Sequence, residues 1–430
     1  MALSTPKTLR NQMMYQIFVR NYSDEGTFAQ VEKDLDRIKA LGTDIVWLMP
    51  IHPIGEAQRK GTLGSPYAIS DYRAVNPEFG TLEDFKSLVA AIHDRDMRCI
   101  IDVVYNHTSP DSVLSREHPE WFYHKPDGSF GNRVGDWTDI IDLDYSNKDL
   151  WTYQTDTLRQ WAEIVDGFRC DVAPLIPIEF WEQARAEVAK VRPDAIWLSE
   201  SVEPGFIVYM RSQGLTALSD SEIYRAFDIS YDYDCYDAFK SVLYGTGSLQ
   251  AYVDALNRQE YTYPDNYVKL RFLENHDQTR ARFFLPDIAV LKSWTAFQFF
   301  QKGMPLIYAG QERAVSHLPS LFDKDTVPWE DSENADLSDY IKKLARMKRN
   351  EIFTDSTYQV KAVGESALTA MHEKDGRKAV GVFPLQGQTA FIPVDLPDGI
   401  YANLLDGSAV EVFRGGVQCR REPVILMCNA

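Results

Sequence analysis

Ile100-Ile101-Asp102-Val103-Val104-Tyr105 runs directly into Asn106-His107. An apolar run interrupted by one acid and stopped by polar groups reads as a strand buried on both faces, because parallel strands are covered by helices on the outside and by packed side chains within. The pattern recurs along the chain. Apolar runs lie at residues 14–19, 44–49, 98–105, 167–172, 195–199, 227–230, 268–273 and 305–308. Helical periodicity follows at 27–41, 81–94, 148–163, 177–191, 206–213, 248–259, 287–300 and 338–349. Thr81 with Asp84 reads as a capping box, and Pro177 suits a first helical turn. Alternation of this kind predicts an α/β fold, a (β/α)8 barrel.

Two segments break the rhythm. Residues 108–145 follow the third strand and are rich in Gly, Pro, Asp, His and aromatics, too long for an ordinary barrel loop and read as an inserted domain. After residue 350 the chain turns to short alternating runs at 368–371, 379–383 and 424–427, with turn pairs at Asp398-Gly399 and Asp406-Gly407. The expected organisation is a barrel of residues 1–107 and 146–350, an inserted domain of 108–145, and a C-terminal antiparallel β-sandwich of 351–430.

With 430 residues, 63 acidic against 45 basic and a formal charge of -18, the chain repels phosphate backbones and anionic membranes. A neutral substrate is expected, with neither nucleic acid nor membrane as partner; the oligomeric state is not set. Cys99, Cys170, Cys235, Cys419 and Cys428 are odd in number and scattered, which predicts reduced thiols rather than a disulfide framework. Residues 1–20 contain no apolar run of leader or span length, since Lys7, Arg10, Asn11 and Gln12 interrupt it. A cytoplasmic enzyme is the expectation.

In such a barrel the site lies at the C-terminal strand ends. Gly167-Phe168-Arg169-Cys170-Asp171 ends in an acid; the run at 195–199 ends at Glu200; the run at 268–273 continues into Glu274-Asn275-His276-Asp277. Paired carboxyls at strand ends suit glycoside hydrolysis, where one acid protonates the leaving oxygen and another attacks. Arg169 shares a strand face with Asp171 and would keep it ionised. Glu200 has no cation beside it in sequence and would hold a proton, the acid's requirement. Cys170, on the opposite face, points into the barrel wall.

The segments at 102–107 and 167–171, the strand end at Glu200, and 274–277 resemble, in that order, the four sequence regions of the α-amylase family (glycoside hydrolase family 13). The resemblance covers nearly the whole chain and implies a retaining α-glycosidase acting on α-1,4 bonds of maltodextrin-type oligosaccharides. It implies Asp171 as nucleophile, Glu200 as general acid/base and Asp277 as third carboxylate. Arg169 would orient Asp171, while His107 and His276 would bond sugar hydroxyls. Tyr67, within Ser65-Pro66-Tyr67-Ala68, is similar to the family's stacking tyrosine, and Arg280 would line the same pocket. Asp102 reads as structural, below the site.

Taken singly, these residues have blander readings. A lone acid at a strand end is usually a cap, a lone histidine a satisfied structural group, and Trp47, Trp197 and Trp329 core. The joint pattern favours chemistry. No cofactor is required by it, but Asp136, Asp139, Asp142 and Asp144 admit a calcium ion, and Asn106 resembles a family calcium ligand. Against calcium stand Pro174 and Leu175, where many calcium-binding amylases carry Lys and His. Competing readings are a transglycosylase, isomerase or sucrose-handling enzyme of the same family and, from another class, a non-catalytic barrel subunit.

Overall fold

The computed structural model describes residues 4–135, 137–331, 333 and 335–428. Eight parallel strands close into a barrel: β1 Met14–Ile17, β2 Ile45–Leu48, β3 Arg98–Val103, β4 Gly167–Cys170, β5 Ile196–Ser199, β6 Ile229–Tyr231, β7 Val268–Arg271 and β8 Met304–Tyr308. Each pairs with its neighbours in chain order, and β8 returns to β1 through Met14↔Leu306. The strands are buried almost end to end, as expected where helices wrap the outside and side chains fill the inside.

The helices show why they form. Leu82–His93 starts at Thr81, whose side chain accepts from Asp84 N–H while Asp84 returns the bond, and it buries Phe85, Leu88, Val89 and Ile92. Lys148–Ala162 buries Leu150, Trp151, Leu158 and Trp161 at helical spacing. The helix expected over 27–41 is instead two pieces, Phe28–Lys33 and Leu35–Ala40, parted at Asp34. There the carboxylate is engaged by Tyr22 Oη and by Arg37 Nε at 2.8 Å. Pro177 caps Ile178–Val188 from outside rather than entering its first turn. An unforeseen helix, Tyr233–Leu243, follows β6.

Residues 108–145 leave β3 and fold back through a two-residue pairing of His107–Thr108 with Ile141–Asp142. Phe122 meets Phe130 edge-on at 5.4 Å, and Trp121, Ile141 and Leu143 are buried with them. Tyr72 ties the root of this segment to the barrel by donating to the carbonyls of Val104 and His107 at 2.6 and 2.7 Å.

Beyond the barrel lie two antiparallel sheets. The inner comprises β9 Thr357–Val363, β10 Ala367–Lys374, β11 Arg377–Pro384 and, last in the chain, β16 Val424–Cys428. The outer comprises β12 Thr389–Pro393, β13 Gly399–Ala402, β14 Ala409–Phe413 and β15 Gly416–Arg420. Val380, Val382, Ile392, Val412, Val417 and Leu426 fill the space between them. The inner sheet's other face packs on the barrel helix Ile288–Phe300, where Phe383 meets Phe297 at 5.2 Å and Phe300 at 5.5 Å.

Candidate active site

Parallel neighbours β4 and β5 are registered Arg169↔Leu198 and Cys170↔Ser199, which brings the residues after them, Asp171 and Glu200, side by side at the barrel mouth. β4 must approach β5 closely: a Cβ on Gly167 would stand 2.2 Å from the Ile196 carbonyl oxygen. Beyond Asp171, Val172 takes a left-handed conformation (φ 34°, ψ 42°), which is costly for a β-branched residue. That turn aims the Val172 N–H at Glu200 Oε2, 2.8 Å away.

Arg169 lies at the centre, fully buried. Its Nη1 donates to Asp102 Oδ1 at 2.8 Å and Asp171 Oδ1 at 2.9 Å, and its Nε to Tyr231 Oη at 3.2 Å. Its Nη2 stands 2.9 Å from Glu200 Oε2, in ionic contact but off the line of an N–H bond. Glu200 therefore has a cation beside it, contrary to the sequence reading: the guanidinium reaches across from the adjacent strand. Asp171 and Glu200 thus flank one guanidinium, with Oδ1 2.9 Å from Nη1 and Oε2 2.9 Å from Nη2.

Three carboxyls thus share one guanidinium in a nearly dry place. Burial pushes Asp102 and Asp171 up to about 7, with Arg169 pulling the other way. The expectation that Arg169 alone would keep Asp171 ionised is corrected, since burial outweighs a cation divided among three anions. Glu200 is raised well above the usual carboxylate range by burial, opposed by Arg169 and reinforced by the negative charges of Asp171 and Asp277.

Asp277 sits at the rim with 37% of its side chain exposed, against 9% for Asp171 and 10% for Glu200. Its Oδ2 is 3.1 Å from His276 Nε2. His276 Nδ1 receives Gln16 Nε2–H at 2.7 Å, so Nε2 carries the ring proton and points to Tyr67 Oη at 2.6 Å. Tyr67 passes the chain on, donating to Asp102 Oδ2 at 3.1 Å. The rings of Tyr67 and His276 stack at 5.3 Å, with Tyr67 half-buried. His107 Nε2 lies 4.0 Å from Asp171 Oδ2, and its ring tilts against Trp137 at 5.6 Å. Burial lowers both histidines to about 4, so each is a neutral ring at neutral pH.

One expected residue is elsewhere. Arg280 is fully buried, its guanidinium taken up by Glu274 Oε1 at 2.7 Å and the carbonyls of Ala309 and His317 at 2.8 and 3.3 Å. Proximity to Asp277 in sequence misled; Arg280 braces the loop from behind. Sequence reading also missed Gln16 and Tyr231. The available signal was a single amide inside the otherwise apolar Met14–Ile17 strand, on the inward side.

In the acidic stretch the described carboxylates stand beside cations of the chain itself. Asp136 lies outside the described residues, Asp139 is paired with Lys60 at 2.9 Å, and Asp142 and Asp144 face Arg133 at 3.6 and 4.0 Å. Among the described residues, Asp232, Asp234 and Cys235 also cluster closely enough for a metal. They too are occupied by cations, Arg271 at 2.8 Å from Asp232 and Lys269 at 2.9 Å from Asp234.

A closed (β/α)8 barrel with clustered carboxyls at its C-terminal mouth, an insertion after β3 and a β-sandwich behind it defines the class of carbohydrate-active barrels. Within that class the chain belongs to the α-amylase family: residues 12–351 match the alpha amylase catalytic domain, and residues 359–426 the bacterial alpha amylase C-terminal domain. It is similar to the crystal structure of an alpha-amylase from Lactobacillus plantarum, with 49% identity and a TM-score of 0.95 over 98% of this chain and 100% of that one. A noncanonic maltogenic alpha-amylase, AmyB from Thermotoga neapolitana, is 35% identical with a TM-score of 0.88, over 98% and 99% of the two chains. Alpha-amylase MalA of Haloarcula japonica is 26% identical over 362 residues, 80% of this chain and 50% of that protein. The chain spans about half the length, or less, of the curated relatives it matches. No helix among the described residues is long and apolar enough to cross a membrane.

Proposed function

We propose that this chain hydrolyses α-1,4-glucosidic bonds of maltodextrin-type oligosaccharides with retention of the α-configuration. The observation that carries the reading is the Asp171–Glu200 pair, held at the barrel mouth by one guanidinium. Two carboxyls bridged by one guanidinium stand close together, and a narrow spacing, about 5–5.5 Å between carboxyl groups, belongs to retention, whereas inversion needs a wider gap that holds a water. Kinship with α-amylases supports the substrate class.

With Asp171 ionised and Glu200 protonated, the pair is ready to react. The Asp171 carboxylate attacks the anomeric carbon while the Glu200 proton passes to the glycosidic oxygen; the bond to the leaving sugar breaks as the bond to Asp171 forms. Glu200, now a carboxylate, takes a proton from water, whose oxygen displaces Asp171 from the same carbon. Asp277 and His276 at the rim, His107 beside Asp171 and the half-exposed face of Tyr67 line the position for the sugar on the non-reducing side. Neutral histidines donate one hydrogen bond each without competing for the acid's proton. The reaction needs no cofactor, and the free thiols of Cys99, Cys170, Cys235 and Cys419 support a reducing cytoplasm as its setting.

Wild type and Asp171→Asn should be incubated with a maltooligosaccharide series, products followed by chromatography and the newborn anomer by proton NMR. α-Anomeric products from wild type and none from the variant are expected. β-Anomers would overturn the mechanism, absence of turnover the function, and products that appear only with an added acceptor sugar would make the chain a transferase.

A further inference from the structure

Between the inserted segment and the barrel lies a cavity of about 340 Å³ lined by Asn106, Arg133, Asp142, Leu143 and Asp144 among others. Two carboxylates, a carbonyl and an amide converge there, the oxygen set a hard divalent ion takes. Arg133 already occupies it. Its Nη1 donates to the Leu143 carbonyl at 3.2 Å and stands 3.6 Å from Asp142 Oδ2; its Nη2 lies 4.0 Å from Asp144 Oδ1. Its backbone N–H binds Asp142 Oδ2 at 2.7 Å, and the guanidinium rests on the Tyr123 ring at 4.5 Å. The placement is fixed from three directions.

A second cation works nearby. Lys60, on the barrel loop after β2, holds Asp139 of the inserted segment at 2.9 Å. Asp139, Asp142 and Asp144 thus face Lys60 and Arg133, and a calcium ion drawn to the same oxygens would meet a fixed guanidinium among its ligands. One atom favours a metal: Asp142 Oδ1 is buried without a hydrogen bond among the described residues.

We propose that Arg133 is the resident cation of this oxygen cluster, fixing residues 142–144 of the inserted segment by a tethered guanidinium in the place a hard divalent ion would take. The wild-type fold then has no use for calcium, and removing the guanidinium uncovers an oxygen cage that calcium can enter.

The test reads thermal unfolding and metal content of the full chain and involves no turnover, so it stands apart from the function proposed above. Wild type, Arg133→Ala and Arg133→Lys are dialysed against EDTA and melted with and without millimolar CaCl2. Wild type is expected to carry no calcium by elemental analysis and to melt at the same temperature in both conditions. Arg133→Ala should melt several degrees lower in EDTA and recover most of that loss in calcium. Arg133→Lys, which keeps a cation, should stay near wild type and ignore the ion. Stoichiometric calcium in wild type, a calcium-dependent rise in its melting temperature, or an Arg133→Ala melt equal to wild type in EDTA would overturn the proposal. Should Arg133→Ala not fold in either buffer, wild type and Arg133→Lys still decide it by their response to calcium.

Discussion

Replacing Asp171 by Asn should destroy activity and, above neutral pH, make the folded protein more stable. Asp102, Asp171 and Glu200 surround a single Arg169, so full ionisation leaves two uncompensated negative charges in a place closed to water. Burial raises Asp171 from 3.8 to about 7. The folded state therefore keeps a proton that the unfolded chain releases near pH 4. Below that pH both states are protonated and the residue contributes nothing. As pH climbs towards 7, stability is lost, and above 7 the loss is complete. A shift of about three pH units corresponds to roughly 4 kcal/mol, an upper bound because neighbours that share the proton also share the cost. Asn has the same shape, carries no charge and still offers Arg169 an oxygen. The variant should gain roughly 1–4 kcal/mol over wild type at pH 8 and close to nothing at pH 4. Urea unfolding of both proteins between pH 4 and 9 measures the difference. A variant that is destabilised by the same amount across the range would refute the account of shared, buried charge.

The same carboxyls predict a bell-shaped kcat/KM profile, its rising limb near the Asp171 value of about 7 and its falling limb set by the Glu200 carboxyl, which burial raises well above the usual range; steady-state rates across pH check it, and Glu200→Gln should abolish the falling limb. Gln16→Leu removes the donor that keeps the His276 proton on Nε2, and should lower kcat/KM about tenfold with little change in melting temperature, as one lost hydrogen bond implies. Gly167→Ala would drive a methyl group to 2.2 Å from the Ile196 carbonyl and part β4 from β5; loss of soluble protein, or a melting temperature lower by many degrees, is the expected readout.

The barrel was legible because each strand is an apolar run that only a doubly covered position tolerates, and eight such runs alternate with helical patterns. Tyr233–Leu243 escaped because Asp234 and Asp237 interrupt its short apolar pattern, although Tyr233, Cys235, Tyr236 and Phe239 are buried, Phe239 against Trp294 at 5.3 Å and Tyr233 against Phe272 at 5.5 Å. Asp171, Glu200 and Asp277 could be named from the polar ends of their strands. What the chain could not disclose was which strand's cation serves which strand's acid. Arg169 and Glu200 are far apart in sequence and meet only through the registration of β4 on β5. Arg280 shows the converse, since nearness to Asp277 along the chain says nothing of the direction in which a long side chain leaves a turn.

The order of strands in the two terminal sheets carries a lesson for anyone cutting or grafting this molecule. The inner sheet takes its fourth strand, Val424–Cys428, from the far side of the outer sheet, so residues 389–420 form a loop-out from an otherwise complete layer. That layer shields Phe297 and Phe300 on a helix buried from Ser293 to Phe300. A stop codon near residue 350 would bare this greasy flank, and trimming only the last few residues would fray the shield at its edge. Excising 389–420 and joining Pro384 to Val424 through a short linker keeps the shield over the barrel helix but bares Val380, Val382 and Leu426, so a foreign module spliced in there has to bring an apolar face of its own.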